Sequence, residues 1–136
     1  GGNVSVLRRD RLYREDGKLD SRVIARDDFV GAAAALLEEI QSGLHAEARA
    51  RLEANITRVD DWAGVEAMFV ESAAKPGWAD VAWSRPTGAA LDQVVERLKA
   101  LKLTIRNAPV DQGATDGACI FTGAPAVERV LIGRAY

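Results

Sequence analysis

The sequence predicts a mixed α/β fold of the α+β kind. A long N-terminal helix leads into strand–helix–strand–helix–strand, and a C-terminal β-hairpin completes one small mixed sheet with helices packed on it. Three observations carry this. Apolar residues recur three or four apart from Phe29 to Ile56, the period of one helix face. Short apolar runs at Ile56, Val81 and Leu103 alternate with two further helical stretches, an order that favours a parallel or mixed sheet. The chain closes on two apolar runs, Cys119–Phe121 and Val130–Ile132, separated by a turn holding Gly123 and Pro125.

Taken in order, residues 3–8 alternate apolar and polar with period two and read as a strand. Arg9 to Asp20 is crowded with charge around Glu15-Asp16-Gly17-Lys18, a turn signal, and reads as a solvated hairpin or loop. A short extended piece, Arg22 to Ala25, follows. Asp27 or Asp28 offers an N-cap for the long helix, expected over residues 28–54. Its stripe is Phe29, Ala33, Leu36, Leu37, Ile40, Leu44, Ala48, Leu52 and Ile56, with a kink expected at Ser42-Gly43. Ile56–Val59 is a strand, and Asp60 or Asp61 caps a second helix bearing Trp62, Val65 and Phe69. Lys75-Pro76-Gly77 is the expected stop of that helix. Val81–Trp83 is the next strand. Thr87 or Ser84 caps a third helix with Leu91, Val94, Val95, Leu98 and Leu101 inward, and strand Leu103–Arg106 precedes a polar loop at Asp111–Gly117.

The chain has 136 residues, 48% of them hydrophobic, enough for one domain with a core. Its net charge of −2 argues against a general nucleic-acid binder, whose affinity comes mostly from neutralised phosphates. No apolar run is long enough to cross a bilayer and no secretory signal is present. The single cysteine, Cys119, fits a reducing cytosol, so a cytoplasmic location is expected.

Catalytic chemistry lacks its residues. Structural zinc needs four thiolate or imidazole ligands, and this chain offers only Cys119 and His45. Cys119 therefore reads as a small core residue, with Trp83, Val81, Ile120 and Phe121 packing around it. His45 lies inside the long helix, and no Gly-x-Ser-x-Gly elbow accompanies it. No glycine-rich phosphate loop is present. Two features point elsewhere. Arg8, Arg9, Arg11 and Arg14 cluster near the N-terminus, with Arg8 and Arg9 as candidate phosphate contacts, although Asp10, Glu15 and Asp16 interleave them. Tyr136 joins a phenol and an α-carboxylate at one point, which suits either a strand end that merely packs or an anchored terminus.

The residues also resemble, over nearly the whole chain, the C-terminal domain of prolyl-tRNA synthetases of the archaeal and eukaryotic type. The likeness rests on Val4-Ser-Val-Leu-Arg-Arg-Asp10, on Leu36-Leu-Glu-Glu-Ile-Gln41, on Asn55-Ile56 and Val59-Asp60, and on the close: Gly117, Cys119, Gly123, Pro125-Ala126 and Gly133-Arg-Ala-Tyr136. It implies that residues 1–26 are the last strand of a preceding anticodon-binding domain plus a connector, and residues 27–136 the C-terminal domain. Members of the group often hold a structural zinc on two cysteine pairs. Ser84 and Ala89 stand at the first pair's positions, Cys119 and Thr122 at the second's, so three of the four thiols are missing.

The function implied is a non-catalytic structural or docking domain of a proline–tRNA ligase. The fragment itself would need no cofactor, while the parent would use ATP and Mg²⁺. Its partners would be the catalytic and anticodon-binding domains, tRNA(Pro) through the parent, and a second subunit of a homodimer; no membrane is implied. In the resemblance, Tyr136 docks near the parent's active site. The alternatives are a free-standing RNA-binding or regulatory module derived from the domain, and a small enzyme in its own right.

Overall fold

The computed structural model describes residues 1–70 and 77–134. Two compact units divide the chain, one from Gly1 to Arg51 and one from Leu52 onward.

In the first unit, β1 (Asn3–Leu7) and β2 (Ser21–Ala25) pair antiparallel, with Val4 opposite Ile24 and Leu7 opposite Ser21. The charged stretch between them is a structured hairpin. Tyr13 and Leu19 form a bridge, and the Gly17 N–H donates to the Arg14 carbonyl. Helix α1 (Arg26–Ala54) follows β2 without a spacer, and its last turn falls in the second unit. Asp27 and Asp28 are therefore not N-caps but lie in the first turn, where their charge favours the helix dipole. The displacement has a local cause: the strand ends at Ala25, and the Arg26 N–H is already taken by the Gly2 carbonyl at 2.9 Å.

Helix α1 continues unbroken through Ser42-Gly43. Phe29, Ala33, Leu36 and Ile40 are half-buried at the expected spacing. Three other members of the predicted stripe are not covered, Leu37, Leu44 and Leu52 being 67%, 50% and 52% exposed, while Ile56 is half-buried and begins the next strand. Periodicity fixes which residues share a face, but it does not supply what covers that face.

The second unit is a four-stranded sheet with two helices. β3 (Ile56–Arg58), α2 (Trp62–Val70), β4 (Trp78–Trp83), α3 (Gly88–Ala100), β5 (Leu103–Asn107) and β6 (Glu128–Arg134) come in the expected order. In space the strand order is β3-β4-β6-β5, with β3 and β4 parallel and β6 antiparallel to both neighbours. The mixed sheet is thus made by inserting the last strand between two earlier ones.

Two local signals hold. Asp61 caps α2, its Oδ1 accepting the Gly64 N–H at 2.7 Å. Thr87 takes the N-cap position of α3 in extended conformation, without a side-chain cap bond. The expected stop at Lys75-Pro76 lies outside the described residues, but Gly77 is described. Its φ is +74°, and a Cβ there would collide with the Asn55 carbonyl. That carbonyl accepts the Trp78 N–H at 2.8 Å, which starts the β3–β4 pairing.

One face of the sheet carries Ala79, Val81, Trp83, Val130 and Ile132. They form a single cluster with Val65 and Phe69 of α2 and Val94 and Leu98 of α3. Every buried residue of the described chain belongs to this second unit. The closing hairpin differs from expectation. Cys119–Phe121 is not a strand but part of a loop closed by one bridge, Ala118 to Pro125, while β6 pairs with β4 and β5. The Cys119 N–H turns back to the Ala124 carbonyl at 2.8 Å, which leaves too few residues for a ladder.

Candidate functional site

Residues 117–126 form a tight loop seated on the end of β4. The Ile120 N–H donates to the Ala82 carbonyl at 3.3 Å and the Val127 N–H to the Trp83 carbonyl at 2.9 Å. This brings Ser84, the residue after β4, to Thr122: their hydroxyls are 3.1 Å apart across 38 residues of sequence. Cys119 sits at the base of the loop, 2% exposed. Burial pushes its thiol up. The Ser84 and Thr122 hydroxyls and the N–H groups of Phe121 and Thr122 more than offset that, and leave it lowered to about 7. Three of the four positions singled out in sequence, Ser84, Cys119 and Thr122, are therefore one hydrogen-bonded cluster. The fourth, Ala89, lies exposed in the first turn of α3.

This donor set does not fit structural zinc. One thiol, two hydroxyls bonded to one another and a methyl group cannot supply four soft ligands. Among the described residues no group of three or more His, Cys, Asp or Glu side chains is placed to hold a metal ion. What the cluster can do is accept hydrogen bonds. Its burial shuts larger reactants away from the sulfur.

The surroundings are closely packed and hydrogen-bonded for reasons the sequence shows only in part. Phe121 lies between Trp83, ring centroids 5.7 Å apart and edge-on, and Trp62 at 5.4 Å. Arg97 covers Trp62 at 4.7 Å. The expected packing of Trp83, Val81, Ile120 and Phe121 around Cys119 is thus present. Arg85, at φ +53°, makes two 2.7 Å bonds to Glu128 and holds that carboxyl below its usual range. On the other sheet face Arg129 binds both Asp80 oxygens at 2.9 Å, and Gln112 bonds the Arg129 backbone N–H at 2.6 Å. Neither pair carries a sequence signal, because the partners are 43 and 49 residues apart.

In the first unit Arg8 is engaged by two carboxylates, Asp10 at 2.7 Å and Glu39 at 2.6 Å. Its guanidinium holds both below the usual carboxylate range. A phosphate reaching Arg8 would have to displace Glu39. Arg9 is exposed in the short turn Arg9–Arg11. Tyr136 lies outside the described residues. Arg134, two residues before it, donates to the Phe69 carbonyl near the end of α2. No described helix is long and apolar enough to cross a membrane.

Comparison with known proteins places the likeness of this chain among aminoacyl-tRNA ligases. No family model matches it. Its relatives are, in particular, proline–tRNA ligases. The chain is 62% identical over 137 residues to that of Sphingomonas elodea and 61% identical over 136 residues to that of Sphingopyxis alaskensis. The enzyme of Bdellovibrio bacteriovorus is 35% identical over 137 residues. Each match takes in 99% or more of this chain, which spans about a quarter of the length of these relatives, in their C-terminal part. Among solved structures, prolyl-tRNA synthetase from Cryptosporidium parvum superposes with a TM-score of 0.75 at 22% identity. It covers 98% of this chain and 26% of the other, so the fold is shared.

Proposed function

We propose that this chain is the non-catalytic C-terminal domain of a proline–tRNA ligase, and that it acts as a structural and docking element. One observation carries the reading: the whole chain matches one continuous quarter of such ligases at up to 62% identity. The ligase attaches proline to tRNA(Pro) with ATP and Mg²⁺ through domains outside this chain, in the cytoplasm and as a homodimer. We assign it to the archaeal and eukaryotic type on the Arg8-Arg9-Asp10 run and the Gly133-to-Tyr136 close. In this reading residues 1–26 are the last strand of the anticodon-binding domain and a connector, and residues 27–136 the C-terminal domain. Arg8 and Arg9 contact tRNA phosphate, with Glu39 giving way at Arg8. Tyr136 docks near the active site.

Ser84, Ala89, Cys119 and Thr122 stand at positions from which a family zinc site has been lost. The hydroxyl–thiol cluster and the Phe121 stack support this part of the reading, since each ties the 117–126 loop to its neighbours without a metal.

The test is proline-dependent ATP–pyrophosphate exchange and tRNA charging by the longer protein and by the 136-residue chain. The longer protein should do both and the 136-residue chain neither. A longer protein inactive with proline contradicts the reading. Removing Tyr136 from the longer protein should lower exchange, and unchanged exchange would sink the role given to that residue.

A further inference from the structure

Strand β6 ends at Arg134, where the ladders on both its sides run out. Arg134 stands opposite Leu103, the first residue of β5, and the pairing with β4 stops at Ile132. A strand end of this kind ordinarily frays. Side chains hold it instead. Arg106 of β5 donates to the Arg134 carbonyl, and the Arg134 guanidinium donates to the Phe69 carbonyl, one of the last α2 carbonyls that the helix itself leaves unpaired. Trp78 of β4 lies against Gly133, so closely that a Cβ there would stand 2.8 Å from its ring. Arg106 is also the extra residue of a bulge. Ile105 pairs with Ile132 and Asn107 with Leu131, so no β6 residue stands opposite Arg106. Taken out of the ladder, its exposed side chain reaches along β6 to the strand's last carbonyl.

We propose that Arg106 is a positioning residue for the chain beyond β6: by holding the Arg134 carbonyl it aims the last two residues so that Tyr136 meets the active site of the longer ligase. That carbonyl belongs to the planar peptide unit that joins residue 135, so fixing it fixes the direction in which the chain continues. Two residues span at most about 7 Å, and an error of direction at Arg134 cannot be made good further on. An exposed hydrogen bond adds little to stability, so the bulge and the bond it permits are better explained by aim than by packing. This inference rests on the reading of the chain as part of a longer proline–tRNA ligase in which Tyr136 docks.

Arg106→Ala, removal of Tyr136, and the two together are made in the longer protein and assayed by proline-dependent ATP–pyrophosphate exchange. Arg106→Ala alone should lower kcat/KM about 10-fold, as the misplacement of a remote group does. Once Tyr136 is gone, the same substitution should cost nothing further, because the residue acts only through Tyr136. An undiminished kcat/KM in Arg106→Ala would overturn the proposal. An equal loss with and without Tyr136 would overturn it too, since a purely structural role gives that result. Exchange unchanged by removing Tyr136 alone would end both the docking role and this inference. The unchanged longer protein is assayed first, so a failure of the ligase reading, seen as no exchange with proline, is told apart from a failure at Arg106.

Discussion

Residues 1–51 and the chain from Leu52 onward use the same vocabulary of apolar periodicity, but only the second unit buries what it patterns. Val65 and Phe69 on α2, and Val94 and Leu98 on α3, fall four apart and close on a sheet face. Phe29, Ala33, Leu36 and Ile40 are spaced as regularly, yet end half-buried. The difference lies in the number of layers. The second unit has two helices and four strands to exclude water from one cluster, whereas the first offers one helix and two strands. An amphipathic face fixes which residues share a side, and in the first unit two strands and one helix are too few to bury that side.

Substitutions can break this contrast, and the largest effect falls on the second unit's core. Phe69→Ala removes a ring that is 2% exposed and should cost about 3–5 kcal/mol by urea denaturation of the 136-residue chain. Phe29→Ala should cost about 1 kcal/mol, because its ring is already half in water. Similar losses from the two would erase the contrast.

Next comes Cys119. Its thiol is lowered to about 7 from an ordinary 9.0. The folded value lies below the unfolded one, so the stabilisation is fully present above pH 9 and is lost as pH falls through 7. Melting temperature should rise over pH 7–9, by an amount equivalent to roughly 2–3 kcal/mol. Cys119→Ala should flatten that rise, and a variant that keeps the slope would contradict the cluster's role.

Gly133→Ala should cost about 1–3 kcal/mol, since its Cβ would stand 2.8 Å from the Trp78 ring in a strand with neighbours on both sides. The smallest effect is expected in the first unit. Arg8→Ala should shift the melting temperature less than any of these, and that shift should vanish in acid as pH falls through the depressed values of Asp10 and Glu39.

How much was legible follows the same division. Element type is local, so α1, α2, α3 and the strands could be read from spacing, and Asp61 from its place before an apolar stripe. The insertion of β6 between β4 and β5 could not, because pairing Ile132 with both Ala79 and Ile105 depends on contacts far apart in sequence. Asp27 and Asp28 misled because a strand running straight into a helix leaves no capping residue. Within the candidate site, Cys119 was legible as a buried thiol. Its bonds to Ser84 and Thr122 were not legible from spacing: only the family resemblance grouped those positions, as places where zinc thiols are missing, and it did not foresee that hydroxyls there bond the remaining thiol. Glu39, which neutralises Arg8, lies 31 residues away on another element and left no local trace.

The most direct test is residue-resolved amide hydrogen exchange on the 136-residue chain. Strands β4 and β6 should exchange slowest, near the limit set by global unfolding, while β1, β2 and the exposed half of α1 should exchange fast through local opening. Protection of β1 and β2 equal to that of β4 and β6 would mean the first unit closes its own core, and would contradict the contrast between the two units.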